Sequence, residues 1–249
     1  MTISAHTNWI LGMLIFFGVY VPNGKLYAQK ISGDTGPLMV MKCNDFTVTG
    51  DGRDPEWNKT GWHPLTRLDS AGVPYATRFK ILYSAKGIYV LFDGRDNRIS
   101  TNYDQDFQDL FKADVFEVFF HPDTTLPMYL EYEVNALDKE LVLLIPNLNG
   151  RVSGWIPWHY EKGRQVKKMV HVTGGKPVMN GTIDSWSAEL FFPYSLFSPL
   201  GNVPPVSGMI WHANFYRLDY DSGTMVKWSW APIEHSFHEF RKFGSIVFE

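Results

Sequence analysis

The chain has a single cysteine, Cys43, in 249 residues. No disulfide can close within it, and no cysteine cluster can hold zinc. There is no long basic run. The 23 Lys and Arg stand against 26 Asp and Glu, giving a formal net charge of −3, which lacks the concentrated positive footprint of a nucleic-acid-binding surface. Residues 9–21 form an apolar stretch of 13 residues, short of the roughly 20 that a membrane-spanning helix needs. The nucleophile elbow Gly-x-Ser-x-Gly, the phosphate loop, the dinucleotide fingerprint and His-Glu-x-x-His are all missing, so the common hydrolase, nucleotide and zinc-protease signatures have no foothold. Beyond residue 40 there is no linker, repeat or low-complexity segment, and helical periodicity is scarce.

The short apolar run has the length of a signal-peptide core, and Lys25-Leu26-Tyr27-Ala28 follows it, with cleavage expected after Ala28. This gives a signal peptide over residues 1–28, an extension over 29–44 and one domain over 45–249. The mature chain is expected to be exported (periplasmic, cell-surface or extracellular) and to contain no membrane span. Export without disulfides suits a bacterial envelope. Cys43 lies too far past the apolar run to anchor a lipid, and an inert thiol is expected there.

Aromatic residues are abundant: 18 Phe, 12 Tyr and 9 Trp make up 16% of the chain. Such residues fit pleated, half-buried surfaces, and exposed ones can also stack on sugars. Strand-like segments recur at about residues 75–85, 87–93, 113–121, 128–136, 140–145, 166–172, 185–192, 209–216, 226–230 and 245–248. The segment around Lys86-Gly87 reads as a hairpin turn. Residues 113–121 are apolar on both faces, as in a central strand. In residues 128–136, Leu130, Tyr132 and Val134 point one way, and Tyr129, Glu131, Glu133 and Asn135 point the other. One or two helical turns are expected at 103–111 and 193–197. The pattern predicts an all-β fold, an antiparallel β-sandwich of jelly-roll-like type.

Several polar residues invite a chemical reading. Glu117 is the one charge inside 115–120, so it either pairs with a cation such as Arg217 or Arg78 or opens into a pocket. Glu131 and Glu133 share a strand face, with Cα atoms about 6.5–7 Å apart. They form either a solvated polar face or acceptors for hydroxyl groups. His235-x-x-His238 has no evident third metal ligand. Asp93, Asp96, Asp104, Asp106 and Asp109 could ligate calcium or simply form a polar loop.

Seven segments in order resemble carbohydrate-binding modules of family 9. They are Asp51-Gly52 with Trp57, residues 87–93 (GIYVLFD), residues 114–119 (DVFEVF), residues 132–135 (YEVN), residues 186–193 (WSAELFFP), Trp228-Ser229-Trp230, and Phe237-His238 followed by Phe243-Gly244. The resemblance covers about residues 45–249 and implies a β-sandwich that binds a mono- or oligosaccharide, such as a cellulose or xylan fragment. It also implies carbohydrate catabolism beside separate glycoside hydrolases, and a structural calcium ion. Family members hold sugar between two aromatic rings, and the corresponding positions here are Phe111 and Phe237, where Trp is expected. Phe offers a smaller face and no N–H donor. Glu117 falls on a sugar-contacting Glu, Asn135 also aligns, and Glu133 falls on an Arg position, which reverses the charge there. His238 could add a polar contact. The expected binding set is therefore Phe111, Glu117, Glu133, Asn135, Phe237 and His238, with no catalytic residue. Two other readings stay open: a glycoside hydrolase using Glu117 opposite Glu133 or Asp219, and a related sandwich that binds haem through a Met/His pair or mediates adhesion.

Overall fold

A computed structural model of the chain describes residues 36–70 and 72–249. The expected signal peptide lies outside the described residues. The described part is all-β. Strands β1 (Leu38–Lys42), β2 (His63–Pro64), β3 (Thr66–Arg67), β4 (Thr77–Tyr83), β5 (Gly87–Arg95), β6 (Val115–His121) and β7 (Met128–Val134) form its first half. They are followed by β8 (Glu140–Leu148), β9 (Arg151–Val152), β10 (Lys167–Thr173), β11 (Ser185–Pro193), β12 (Ile210–Asp219), β13 (Val226–Ser229) and β14 (Gly244–Phe248). The helical turns expected near 103–111 and 193–197 reduce to 3₁₀ turns at Leu110–Lys112 and Tyr194–Phe197. No described helix is long and apolar enough to cross a membrane.

The strands join in one mixed sheet with the path β10-β11-β5-β4-β1-β14-β12-β6-β7-β8-β9. The path is open, running from β10 at one end to β9 at the other, so the layers do not close on each other. An entirely antiparallel arrangement was expected, and β1 departs from it. Leu38, Met39 and Val40 pair parallel with β14, and Met41 and Lys42 pair parallel with β4. Sequence placed these residues in an extension ahead of the first strand; they join the two halves of the sheet.

The two halves face each other through the residues that alternation points inward. Phe79 of β4 stacks on Phe215 of β12 with ring centroids 3.7 Å apart. Phe92 of β5 stacks on Phe116 of β6 at 4.9 Å, and Phe116 stacks on Trp186 of β11 at 3.8 Å. Each such ring, fully buried, contributes roughly 1.5–3 kcal/mol by leaving water. The hairpin expected at Lys86-Gly87 forms between β4 and β5. Glycine is required there because a Cβ at Gly87 would lie 2.2 Å from the Phe192 carbonyl oxygen.

Two of the segments that resemble the family meet in this frame. The Trp57 indole N–H donates to Glu189 Oε1 at 2.7 Å. Glu189 Oε2 accepts from the Thr49 and Gly50 amides at 2.7 and 2.8 Å and from the Thr49 hydroxyl at 3.1 Å. Trp186 donates its indole N–H to Asp96 at 3.0 Å. These tryptophans are buried and hold the loops to the sheet.

Candidate functional site

The outer faces of β6, β7, β8 and β12 carry the candidate site. Alternation correctly predicts that Tyr129, Glu131, Glu133 and Asn135 share this side. A solvated face would leave them exposed, yet all four are at most 5% exposed. The covering comes from the segments around 103–112 and 231–243. Leu110 closes an apolar cluster with Val115, Leu141 and Leu218. Phe237, Phe240 and Phe243 close a second one with Phe119, Tyr129, Ile145 and Tyr216. Leu143 and Phe237 touch both clusters.

Glu117 and Glu133 are register partners across β6 and β7, and Tyr216 is the register partner of Glu117 on β12. Glu131 stands two residues along β7, on the same face as Glu133. The expected cation partners of Glu117 are elsewhere. Arg217 belongs to the opposite face of β12, where it bonds Asp96 at 3.0 Å and Asp219 at 2.6 Å. Arg78 pairs with Asp93 at 2.8 Å. Burial therefore pushes the Glu117 carboxyl far above its ordinary range, and the charge of Glu131 adds to the effect. Glu133 is raised for the same reason, then by Glu117 and Glu131. Burial raises Glu131 to about 7. Neither oxygen of Glu133, nor Oε2 of Glu131, has a hydrogen-bond partner.

The aromatic positions flank this cluster. Phe111, on the turn Leu110–Lys112, is 41% exposed, and its carbonyl accepts from the Tyr220 hydroxyl at 2.9 Å. Phe237 is half-buried and stacks on Tyr216 at 4.0 Å with an interplanar angle of 12°. The Tyr216 hydroxyl also donates to the Phe237 carbonyl at 2.9 Å. One face of Phe237 is thus occupied by a protein ring. His238 lies 2.8 Å from the Tyr129 hydroxyl through Nδ1 and 3.8 Å from Glu131. Burial lowers its pKa, which favours the neutral ring. Asn135 is committed to the fold. Its carbonyl oxygen accepts from the Leu137 and Lys139 amides, each at 3.0 Å, and its amide donates to the Tyr103 carbonyl at 2.9 Å. It thereby ties the segment that carries Phe111 to β7. Tyr216 and Tyr129 complete the surroundings. The sequence marked both only as strand residues, and their signal was their place on the same alternating face as the glutamates.

A second acidic group lies at the strand ends. One carboxylate oxygen from each of Asp96, Asp114, Asp219 and Asp221 lies within 4.8 Å of the others. Of the aspartates read in sequence as possible calcium ligands, only Asp96 joins it. Asp109 pairs with Lys112, and Asp106 accepts from the Glu140 amide. Burial is the largest cause raising Asp114 to about 9 and Asp96 to about 7. Asp114 accepts from the Ser100 and Tyr220 amides. Two of the four carboxyls, those of Asp96 and Asp219, bond the buried guanidinium of Arg217. The all-oxygen donor set and its excess acidity fit a hard cation such as calcium. His235 and His238 do not converge, since His235 is solvent-exposed against Glu234. Burial pushes the Cys43 thiol up to about 12, which makes it a poor nucleophile.

The chain is thus an open two-layer β-sandwich with aromatic and acidic side chains gathered on one outer face. Residues 56–248 match the model of carbohydrate-binding family 9, and the chain belongs to that family. No curated protein matches it. Among solved structures it is similar to a protein from Bacteroides uniformis provisionally described as carbohydrate-binding, at 20% identity and a TM-score of 0.71, covering 86% of this chain and 99% of that one. It is also similar to a family 9 carbohydrate-binding module from Caldicellulosiruptor kristjanssonii in complex with glucose, at 16% identity and a TM-score of 0.59, covering 85% of this chain and 95% of that one. The same organism's module in complex with cellotriose gives 15% identity and a TM-score of 0.60, covering 86% and 93%. These likenesses show a shared fold.

Proposed function

We propose that the chain binds a mono- or oligosaccharide at the outer face of β6, β7 and β12, between Phe111 and Phe237 and above Glu117, Glu131 and Glu133. The family match carries the reading, and the geometry supplies its parts. An exposed phenyl ring at Phe111 and the half-buried ring of Phe237 can stack on a pyranose, and carboxyl oxygens without partners can accept from hydroxyl groups. In this reading Asn135 and Tyr216 position the rings rather than contact sugar. The fold-mates solved with glucose and cellotriose make gluco-configured sugars the first to try, with xylo-oligosaccharides beside them. We further propose that Asp96, Asp114, Asp219 and Asp221 hold a structural calcium ion, and that the protein acts outside the cytoplasm alongside separate glycoside hydrolases.

Nothing in the geometry favours hydrolysis. Asp219 belongs to the opposite face of β12 from Glu117, and Glu117 and Glu133 are side-by-side register partners. Glycosidase carboxyls instead flank a bond from opposite sides.

The test is isothermal titration of the folded protein with glucose, cellobiose, cellotriose and xylo-oligosaccharides, with and without calcium. Saturable binding is expected, weakened at least tenfold, about 1.4 kcal/mol, in Phe111→Ala and in Phe237→Ala. Binding that survives both substitutions unchanged would move the site elsewhere.

A further inference from the structure

Residues 151–168 carry β9, the crossing from β9 to β10 and the first two residues of β10. They contain five Lys and Arg and one Glu, a formal charge of +4, in a chain whose total is −3. The cations make no basic run because Trp155, Ile156, Trp158 and Tyr160 are interleaved with them. Among the described residues, only Lys168 of the five reaches a carboxylate, Asp138 at 3.8 Å and Asp106 at 4.0 Å. Arg151, Lys162 and Lys167 are exposed and Arg164 is half-buried.

The apolar residues between these cations face water. Trp158 is 68% exposed, Ile156 50% and Trp155 45%, whereas Trp57, Trp186, Trp211 and Trp228 are at most 1% exposed. An indole left in water forgoes a large burial gain, so neighbouring exposed indoles mark a contact surface. The segment that carries them is anchored. Trp155 and Leu144 exchange backbone hydrogen bonds of 2.9 and 3.2 Å along the edge of β8. The Tyr160 hydroxyl donates to Glu140 at 2.8 Å and accepts from the Val166 amide at 3.2 Å. The Arg164 guanidinium donates to the Trp158 carbonyl at 3.3 Å, which sets a positive charge beside that residue. Trp155 and Trp158 lie within at most about 11 Å of chain, a span that neighbouring units of one sugar polymer can bridge.

A pyranose offers an apolar face to an indole, and a carboxylate or sulfate on the same polymer offers acceptors to guanidinium and ammonium groups. A neutral polymer would match the rings and leave the cations without partners. We infer that residues 151–168 form a second carbohydrate surface, sharing no residue with the one at Phe111 and Phe237, and that it takes an acidic polysaccharide. Trp155 and Trp158 stack on sugar units while Arg164 and the neighbouring lysines pair with the acidic groups. The family match makes a sugar polymer, among polyanions, the partner of this charge. The inference shares with the reading above only that the ligand is carbohydrate.

Titration of the full chain at neutral pH and low salt, without added calcium, tests it. The probes are polygalacturonate against its fully methyl-esterified form, for carboxylate, and dextran sulfate against dextran, for sulfate. At least one acidic polymer is expected to bind tenfold or more tightly than its neutral counterpart, with an affinity that falls as salt is raised. Trp158→Ala and Arg164→Gln, each checked for folding by circular dichroism, are expected to weaken that binding at least fivefold and to leave any titration with glucose or cellotriose unaltered. Trp158 is exposed enough that its replacement spares the core. Neutral polymers binding as tightly as acidic ones overturn the inference, and acidic-polymer binding unaltered in both variants removes it from this segment. Equal affinity for single-stranded oligothymidylate or for phosphatidylglycerol vesicles shows a general polyanion surface and overturns the polysaccharide class. Acidic-polymer binding lost in Trp158→Ala, in a protein that binds neither glucose nor cellotriose, supports this surface while the site at Phe111 and Phe237 fails.

Discussion

Glu189 shows how one residue can bind two distant segments of sequence. Its carboxylate is fully buried and takes four donors, from the Trp57 indole, the Thr49 and Gly50 amides and the Thr49 hydroxyl. No Lys or Arg pairs with it among the described residues, and its oxygens are satisfied by hydrogen-bond donors instead. Removing the carboxylate leaves those donors behind, and each buried donor without a partner costs roughly 1–3 kcal/mol. Glu189→Ala is therefore expected to lose about 3 kcal/mol or more of unfolding free energy, read by urea denaturation. Glu189→Gln should lose less, because it keeps an acceptor oxygen for the Trp57 indole. A Glu189→Ala midpoint equal to that of the native chain would show that this network carries little of the stability. The glutamates of β7 present the opposite case, with the same residue type and the same burial but no donors.

At the scale of elements, the ends of β6 and β12 and the loop after β5 concentrate four aspartates around Arg217. Gly94 on β5 makes room for that guanidinium, since a Cβ there would stand 2.9 Å from its Nη1. Folding raises Asp96 to about 7 and Asp114 to about 9, and it raises Asp219 as well. A carboxyl raised on folding binds its proton more tightly in the native state. Its contribution is complete below the ordinary carboxyl range and is lost as pH rises through the folded value. The buried histidines His63 and His121 are lowered and act in the reverse sense, but only below about pH 6.5. Between about pH 7 and pH 9, chelator-treated protein should therefore melt at progressively lower temperature. Millimolar calcium should raise the melting temperature most at the alkaline end, where the aspartates are free to ligate. Scanning calorimetry checks both trends, and identical pH profiles with and without calcium would remove the ion from this cluster.

At the scale of the whole molecule, β1 joins the halves. Its five residues pair with β14 through the first three and with β4 through the last two, and Val40 is fully buried. The Glu249 amide also donates to the Val40 carbonyl at 3.0 Å, which ties residue 249 to β1. A chain starting at residue 45 loses this strand and exposes two unpaired sheet edges. It is expected to be aggregated or unfolded by circular dichroism and gel filtration, whereas one starting at residue 36 should fold. A stable, monomeric 45–249 fragment would show that the facing aromatic cores suffice without the joining strand.

The sequence by itself determined the all-β class, the central position of residues 115–121 and the two faces of residues 128–134, because strand alternation and side-chain polarity are local properties of the chain. It also placed Glu117, Glu133, Phe111 and Phe237 together in one expected binding set, through a resemblance to a family. It left β1 unread because a five-residue strand with parallel neighbours on both sides carries no hairpin or turn signal. It could not show that Arg217 faces away from Glu117, since that depends on the register between β12 and β6. The partnerless state of Glu131 and Glu133, the saturation of Asn135 and the stacking of Phe237 on Tyr216 depend on which loops cover the outer face, and the convergence of Asp96, Asp114, Asp219 and Asp221 depends on how the strand ends meet on the other side. His238 lies 109 positions from Tyr129 and Arg217 lies 121 from Asp96, and only tertiary packing brings such residues within hydrogen-bonding distance.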